Sequence, residues 1–403
     1  MMRAAQRLLE EKSSYATVAA PCPVFGACGG CALQDLAYHD QLALKLERVR
    51  RAFAPFDAAL PIEMVGLEDP WRYRNKAEFT FAAAQGRLTL GYHERRSFTR
   101  IVDLEDCLLL PSPAMAAARE VVRLAAETGL PAYHPRTHQG FFRYLLVRHS
   151  HATGKTLLCV MTTPGSRQAL ETIARGVMAR HPHVASVYWG ITSTLADIAV
   201  PDALQLLEGE AHLEDRVGPF VIRLHPMSFL QPSSVQADRM YEHVCRALKT
   251  PPPSVAWDLY CGLGLVGLYL SRSAGRVYAI DSEPHHVELA AANASLNGRD
   301  NIAFHAGRVE TLLQDRRFWL QDAKPDVIVV DPPRAGLHLQ ALSSMLAARP
   351  GRIAYVSCNV QSLVRDLQVL VGSFPRYRLA QVTAFDMFPQ TNHTEIFVLL
   401  ERV

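Results

Sequence analysis

The chain has 403 residues, nearly half of them hydrophobic, about a fifth charged, with a formal net charge of +3. That is ordinary globular material with enough apolar residues for real cores, and the length implies two or three domains. No run of about 18 or more apolar residues occurs, which argues against a membrane span. The N-terminus, MMRAAQRLLEEKSS, lacks the apolar core of a signal peptide, and its acidic residues argue against a mitochondrial presequence, so a cytoplasmic protein is expected.

Charge is unevenly spread. Residues 71–180 hold 16 Lys and Arg against 8 Asp and Glu, a net of +8, so the remainder sums to −5. A basic middle segment suits a phosphate-rich partner, although charge alone is equally consistent with a solvated basic face. Eight cysteines are present. In a cytosolic protein they are ligands, nucleophiles or core residues sooner than disulfides.

In chain order, residues 1–20 read as a short helix and a loop, and 21–32 as a Gly-rich cysteine loop. Leu36, Leu42, Leu44 and Val49 then set a helix over roughly 35–53, closed by Pro55 and Pro61. Residues 62–215 alternate short strands with two helices, at 113–127 and 167–180. EFTFAA, RLTLGYHE and FRYLLVRHS are strand-like, and KTLLCVMTT should pair with the last of them.

From residue 216 the pattern becomes strand, helix, strand. VAWDLY, RVYAID, IAFHAG, DVIVVD and RIAYVS are β-rich apolar runs spaced by helical segments, the signature of a parallel sheet covered on both faces. RLAQVTAFDMF and TEIFVLLERV follow closely, which predicts an antiparallel hairpin at the sheet edge. A helix over 234–248 precedes this sheet, and Pro251–Pro253 separate the two. The expected organisation is residues 1–60 as a cysteine-rich segment and helix, 61–215 as a central α+β domain, and 216–403 as a Rossmann-like α/β domain.

Four motifs carry chemistry. In WDLYCGLGLVGLYL a strand passes through a loop with Gly262 and Gly264 into a helix, and the next strand ends in Asp281. Glycines allow close backbone approach, a helix N-terminus offers free N–H groups, and an acid about 20 residues on suits a ribose diol. In VIVVDPPRAGL an apolar strand delivers Asp331 to a stiff loop with Arg334, at the edge where doubly wound sheets bind ligands. In YVSCNVQSL, Cys358 stands at a strand end before a helix, where a thiol can serve as a nucleophile; alone, such a cysteine is more often packing. In FDMFPQTNHTEIF, His393 and Glu395 alternate at a strand start and can point the same way, with Glu395 a candidate general base. Cys261 lies inside the glycine loop and reads as packing.

Together these motifs resemble the uracil-C5 RNA methyltransferases. DPPR at 331–334, SCN at 357–359 and DMFPQTNHTE at 386–395 stand in that family's order, and SFLQ at 228–231 matches its segment before the sheet. The resemblance implies a class I methyltransferase fold and S-adenosylmethionine as methyl donor. It implies Cys358 as nucleophile toward C6 of uracil and Glu395 as the base that takes the C5 proton. It implies cofactor contacts from Gln231, Tyr260, Asp281 and Asp331, with Gly262 and Gly264 in the loop, and stacking of Phe229 on a flipped base. Val360 replaces a usual Pro, Ser233 a usual Asn and Asp281 a usual Glu.

Cys22, Cys28 and Cys31, spaced C-x5-C-x2-C, with the distant Cys107, resemble the [4Fe–4S] site of the ribosomal RNA branch. A structural zinc held by the same thiolates is the alternative. Arg72, Arg74 and Lys76, interleaved with aromatics, are candidate RNA contacts, as is Arg334. The cysteine motif and the short stretch before it point to the compact 23S ribosomal RNA enzymes, with 23S rRNA as partner and no membrane or obligate protein partner expected. Transfer RNA or another ribosomal position is the nearest rival. A catalytically silent RNA-binding protein is the rival from another class. An iron–sulfur protein with radical methyl chemistry is disfavoured because the C-x3-C-x2-C spacing is missing.

Overall fold

The strand-and-helix alternation of the C-terminal half becomes a mixed eight-stranded sheet. The structure, a computed structural model, describes Leu8, residues 10–315 and residues 324–403. The rest of the expected N-terminal helix lies outside the described residues, although residues 10–12 are helical. Among the described residues no helix is long and apolar enough to cross a membrane.

The strands are β1 (Ile62–Val65), β2 (Lys76–Ala84), β3 (Arg87–His93), β4 (Ile101–Asp103), β5 (Phe142–His149), β6 (Thr156–Thr162), β7 (Val184–Ile191), β8 (Ala203–Gly209), β9 (Leu213–Val217) and β10 (Phe220–Leu224). They continue as β11 (Val255–Leu259), β12 (Arg276–Asp281), β13 (Ile302–Ala306), β14 (Val327–Val330), β15 (Arg352–Ser357), β16 (Tyr377–Phe385) and β17 (Glu395–Arg402). The large sheet runs β1-β16-β17-β15-β14-β11-β12-β13. β11 to β15 pair in parallel, and β17 inserts antiparallel between β15 and β16. This is a Rossmann-like α/β sheet.

The hairpin is not the sheet edge as expected. β1 pairs in parallel with β16, from Ile62 opposite Val382 to Val65 opposite Phe385, so four residues read as part of the central domain edge the other sheet. A strand that short has no partner visible in its own sequence.

The central sheet runs β4-β3-β2-β5-β6-β7-β8, all antiparallel except β6–β7. All residues of β5 and β6 are buried. Side chains alternate across a strand. Leu145 and Val147 therefore face the core under helices Ser112–Glu127 and Arg167–Arg180. Tyr144 and Leu146 face a second core shared with helix Ser234–Leu248 and with Leu268. The central and C-terminal halves are thus joined through a common apolar layer. A further core lies on the other face of the large sheet, where Trp257, Ile328 and Tyr355 meet Leu342, Leu363 and Phe53.

Candidate active site

The C-terminal edge of the parallel strands opens into a cleft of about 690 Å³, within the usual range of about 300–1,000 Å³ for small-ligand pockets. Gln231, Tyr260, Gly262, Asp281, Asp331, Arg334, Cys358 and Glu395 all line it, as does Phe229, whose ring is 59% exposed. His393 and Phe388 complete that wall.

After β11 the chain turns through Tyr260, Gly262 and Gly264, all with positive φ. Asp258 is fully buried and accepts the Gly267 N–H at 2.7 Å, which fixes the following short helix to the strand. Burial pushes the Asp258 carboxyl up to about 8. Gly264 does not line the cleft. A Cβ there would stand 2.9 Å from Phe304 and 3.0 Å from Ala290, so its need for glycine is packing. Gly262 has open space at that position and faces the cleft.

Asp281 ends β12 and accepts N–H bonds from Gly262 at 2.9 Å and Glu283 at 3.0 Å, with His286 at 3.4 Å. Burial opposes its charge, but His286 and the two N–H donors hold the carboxyl below its ordinary value. It is an anion tied to the glycine loop.

The DPPR and nucleophile loops are stitched together. Asn359 Nδ2 and Ser362 Oγ both donate to the Arg334 carbonyl oxygen, at 2.8 and 3.1 Å. The Asn359 N–H donates to Ser357 Oγ at 3.1 Å, and its side chain caps helix Val360–Gly372 by accepting the Gln361 N–H. Cys358 is held between these two polar neighbours. Val360 occupies the first helical turn, a position where proline is also accommodated. Ser233 likewise caps helix Ser234–Leu248 through the Gln236 N–H, a role Asn would fill equally well.

The reactive groups sit in an acidic, buried corner. Burial raises the Cys358 thiol, Glu395 and Asp331 add to that, and the Arg334 guanidinium opposes it. Burial lifts Asp331 to about 7 against a hydrogen bond from Gln231, whose Nε2 lies 3.5 Å from Oδ2. Glu395, 2% exposed, is held well above the carboxylate range by burial and by Asp331, with Arg334 opposing. Two buried carboxyls at one site cannot readily both ionise. Arg334 Nη2 also lies 3.0 Å from His393 Nδ1.

Other cleft residues escaped the sequence reading: Ser282, Glu283 and His286 after β12, and Arg308, Val309 and Glu310 after β13. Their signal was position, since residues following parallel strand ends face the ligand crevice. The central domain also supports the site. Asn75 Nδ2 donates to the Gln231 carbonyl at 2.8 Å, and the fully buried Arg148 donates to Pro226 at 2.8 Å and to the Ser228 carbonyl.

The three basic candidates at 72–76 lie apart from the cleft, and each is engaged within the fold. Arg72 pairs with Asp106 and donates to the carbonyls of Cys107 and Leu110, both at 2.9 Å. Arg74 donates to Tyr73 Oη at 3.5 Å, and Lys76 pairs with Glu78 at 2.5 Å. Of the three, Arg72 clamps the Cys107 loop.

Cys22, Cys28, Cys31 and Cys107 line one small pocket with Tyr92 and Gln34. The cysteine loop is laid on the end of β3 by the Gly29 N–H to His93 carbonyl bond at 2.9 Å. The Arg72 N–H to Leu108 carbonyl bond at 2.8 Å brings the fourth cysteine's loop alongside. The four thiols share a pocket, yet among the described residues no three His, Cys, Asp or Glu side chains are grouped so as to hold a metal ion.

Known proteins resemble this chain along nearly all of its length. Residues 206–403 match the family described as tRNA (Uracil-5-)-methyltransferase. An uncharacterised RNA methyltransferase of Halalkalibacterium halodurans is 32% identical over 387 residues, covering 95% of this chain and 83% of the relative. One of Caldanaerobacter subterraneus is 33% identical, covering 97% and 86%. Among solved structures, the Pyrococcus abyssi tRNA (uracil-54, C5)-methyltransferase in complex with S-adenosyl-L-homocysteine superposes with a TM-score of 0.76 at 25% identity, over 94% of this chain and 86% of that one. The chain therefore belongs to the RNA (uracil-5-)-methyltransferase family and is an enzyme of that class.

Proposed function

We propose that the protein methylates C5 of one uridine in 23S ribosomal RNA, with S-adenosylmethionine as donor, through a covalent bond between Cys358 and C6. The observation that supports this most is that Cys358, Glu395, Asp331 and Gln231 line one cleft at the strand ends. The Pyrococcus relative holds S-adenosyl-L-homocysteine, the demethylated donor. The cleft here suits that group: open space faces Gly262, Asp281 is ionised beside it, and Gln231 and Asp331 lie next to Cys358.

S-adenosylmethionine supplies an electrophilic methyl group when bound. C5 of uracil is a poor nucleophile on its own. The Cys358 thiolate adds to C6 and loads negative charge onto C5, which makes it reactive toward that methyl. Arg334 opposes the rise of the thiol's pKa and so favours the thiolate. Both carboxyls ionise more readily once the cleft holds a cation. Glu395 then takes the C5 proton after methylation, and the C6–sulfur bond breaks to return the thiolate. Phe229, exposed at the cleft, offers a face for the flipped base.

Cys22, Cys28, Cys31 and Cys107 are proposed to hold a [4Fe–4S] cluster. Thiolates are its ligands, and the four cysteines line one pocket. Its role would be to tie the cysteine loop to the Cys107 loop. Zinc on the same thiolates is the alternative, and elemental analysis with acid-labile sulfide separates the two.

The four-cysteine motif supports ribosomal RNA. A second reading, transfer RNA, is favoured by the likeness to the Pyrococcus enzyme along most of the chain. Methyl-labelled S-adenosylmethionine with unmodified 23S RNA and, in parallel, transfer RNA tests both, with the label mapped by nuclease digestion and mass spectrometry. Label on C5 of one 23S uridine supports the first reading. Label only in transfer RNA supports the second, and label in neither refutes both.

A further inference from the structure

The reading that RNA reaches Cys358 has a structural extension. Past Cys358, Arg334 and His393, which line both spaces, the cleft continues into a second groove of about 930 Å³. Its far wall includes Arg48 and Arg51 of helix Tyr38–Phe53. Residues three apart share a helix face. Both guanidiniums grip one carboxylate. Arg48 donates through Nε and Nη2 to Glu11 Oε2 at 2.8 and 2.6 Å, and Arg51 through Nη1 to Oε1 at 3.2 Å. Arg48 Nη1 also reaches Asn392 Oδ1 at 3.3 Å, two residues after Gln390 in the loop leading to Glu395. Arg51 is 46% exposed.

Two guanidiniums converging on the Glu11 carboxylate beside the cleft, with Arg51 Nη2 also paired to Glu47 at 3.0 Å, make a phosphate-binding geometry filled by an internal carboxylate. We propose that Arg48 and Arg51 bind a backbone phosphate of the RNA strand flanking the target nucleotide, and that Glu11 holds this site until the phosphate displaces it. A base swung out of its stack leaves flanking phosphates that must be held to keep it in register. The phosphodiester carries the same single charge as the carboxylate and presents two non-bridging oxygens to the same donors, so it can replace Glu11 in kind.

The test compares Arg48→Gln, Arg51→Gln and Glu11→Gln with wild type, using the RNA transcript that the wild type methylates and a fluorescent RNA hairpin carrying the same site. The arginine variants should raise the KM and the Kd for RNA about tenfold, and lower the slope of log K against log salt by about 0.7 per lost contact on a single strand. S-adenosylmethionine affinity should hold. Glu11→Gln should move the other way, lowering the KM several-fold. A purely structural tether would make all three variants move together, since each weakens the same arginine–Glu11 cluster. Parallel changes, or an unaltered salt slope in the arginine variants, would overturn the proposal. A wild type that methylates no RNA would refute the reaction itself, while an active wild type with silent variants would refute this groove alone.

Discussion

The Lys45 ammonium donates to Asp386 Oδ1 at 2.6 Å, and neither side chain has any exposed surface. Lys45 also donates to the Phe388 carbonyl at 3.1 Å, so one residue of the N-terminal helix fixes both ends of the DMF turn leading to Glu395. Removing one partner of a buried pair leaves the other charge uncompensated. Lys45→Met should therefore cost about 3–5 kcal/mol in urea unfolding. Lys45→Met combined with Asp386→Leu should recover much of that loss. A single variant as stable as wild type would show that the pair does not hold the loop.

The two loop glycines should separate cleanly. Gly264→Ala adds a Cβ against Phe304 and Ala290 at a φ of 76°, and the left-handed conformation alone costs about 1–2 kcal/mol. Its melting temperature should fall by several degrees. Gly262→Ala carries the same left-handed strain at a φ of 52° but meets nothing within 4 Å, so it should melt higher than Gly264→Ala while losing affinity for S-adenosylmethionine, measured by calorimetry.

Stability should decline as pH rises through neutrality. The folded-state values of Asp258, about 8, and Asp331, about 7, lie above the ordinary 3.8. A raised carboxyl contributes stability that is complete below its unfolded value, about pH 4, and is lost as pH climbs through the folded one. Asp258→Asn keeps an acceptor for the Gly267 N–H and removes the titration. Denaturation at pH 5 and pH 9 should show a smaller drop in this variant than in wild type. An equal drop would remove Asp258 from the account.

Donor binding should release protons. A sulfonium beside Asp331 favours its ionised form, so at pH 7 up to about half a proton per site should leave on binding. Calorimetry in buffers of different ionisation heat reads this directly. The buffer dependence should be present in wild type and lost in Asp331→Asn; heats independent of buffer in wild type would contradict it.

Local pattern carries much of this fold. Helices at 167–180 and 234–248 occupy the expected residues, with Ser166 and Ser233 as their N-caps, and β5 and β6 read as continuous apolar runs because both faces are covered. Pairings between distant segments do not show in local pattern. Four residues at Ile62–Val65 become an edge strand of a sheet built mostly after residue 255, and Lys45 meets a carboxylate 341 residues away. Arg72 illustrates the same limit at a site. Its aromatic neighbours suggested RNA, and spacing did not show that Asp106 and two carbonyls of the Cys107 loop meet it in the fold. The cleft motifs were easier to read because the glycine-loop, DPPR and Cys358 motifs lie at the ends of parallel strands, and the antiparallel β17 starts at that same edge with Glu395.

In the proposed reaction Cys358 attacks C6 and Glu395 later removes the C5 proton. The direct measurement is mass spectrometry of Glu395→Gln incubated with S-adenosylmethionine and target RNA, followed by digestion. A methylated uridine adduct should appear on the Cys358 peptide and be absent when Cys358→Ala is added to the same chain. An adduct on another cysteine, or normal methylation by the Cys358→Ala single variant, would contradict it.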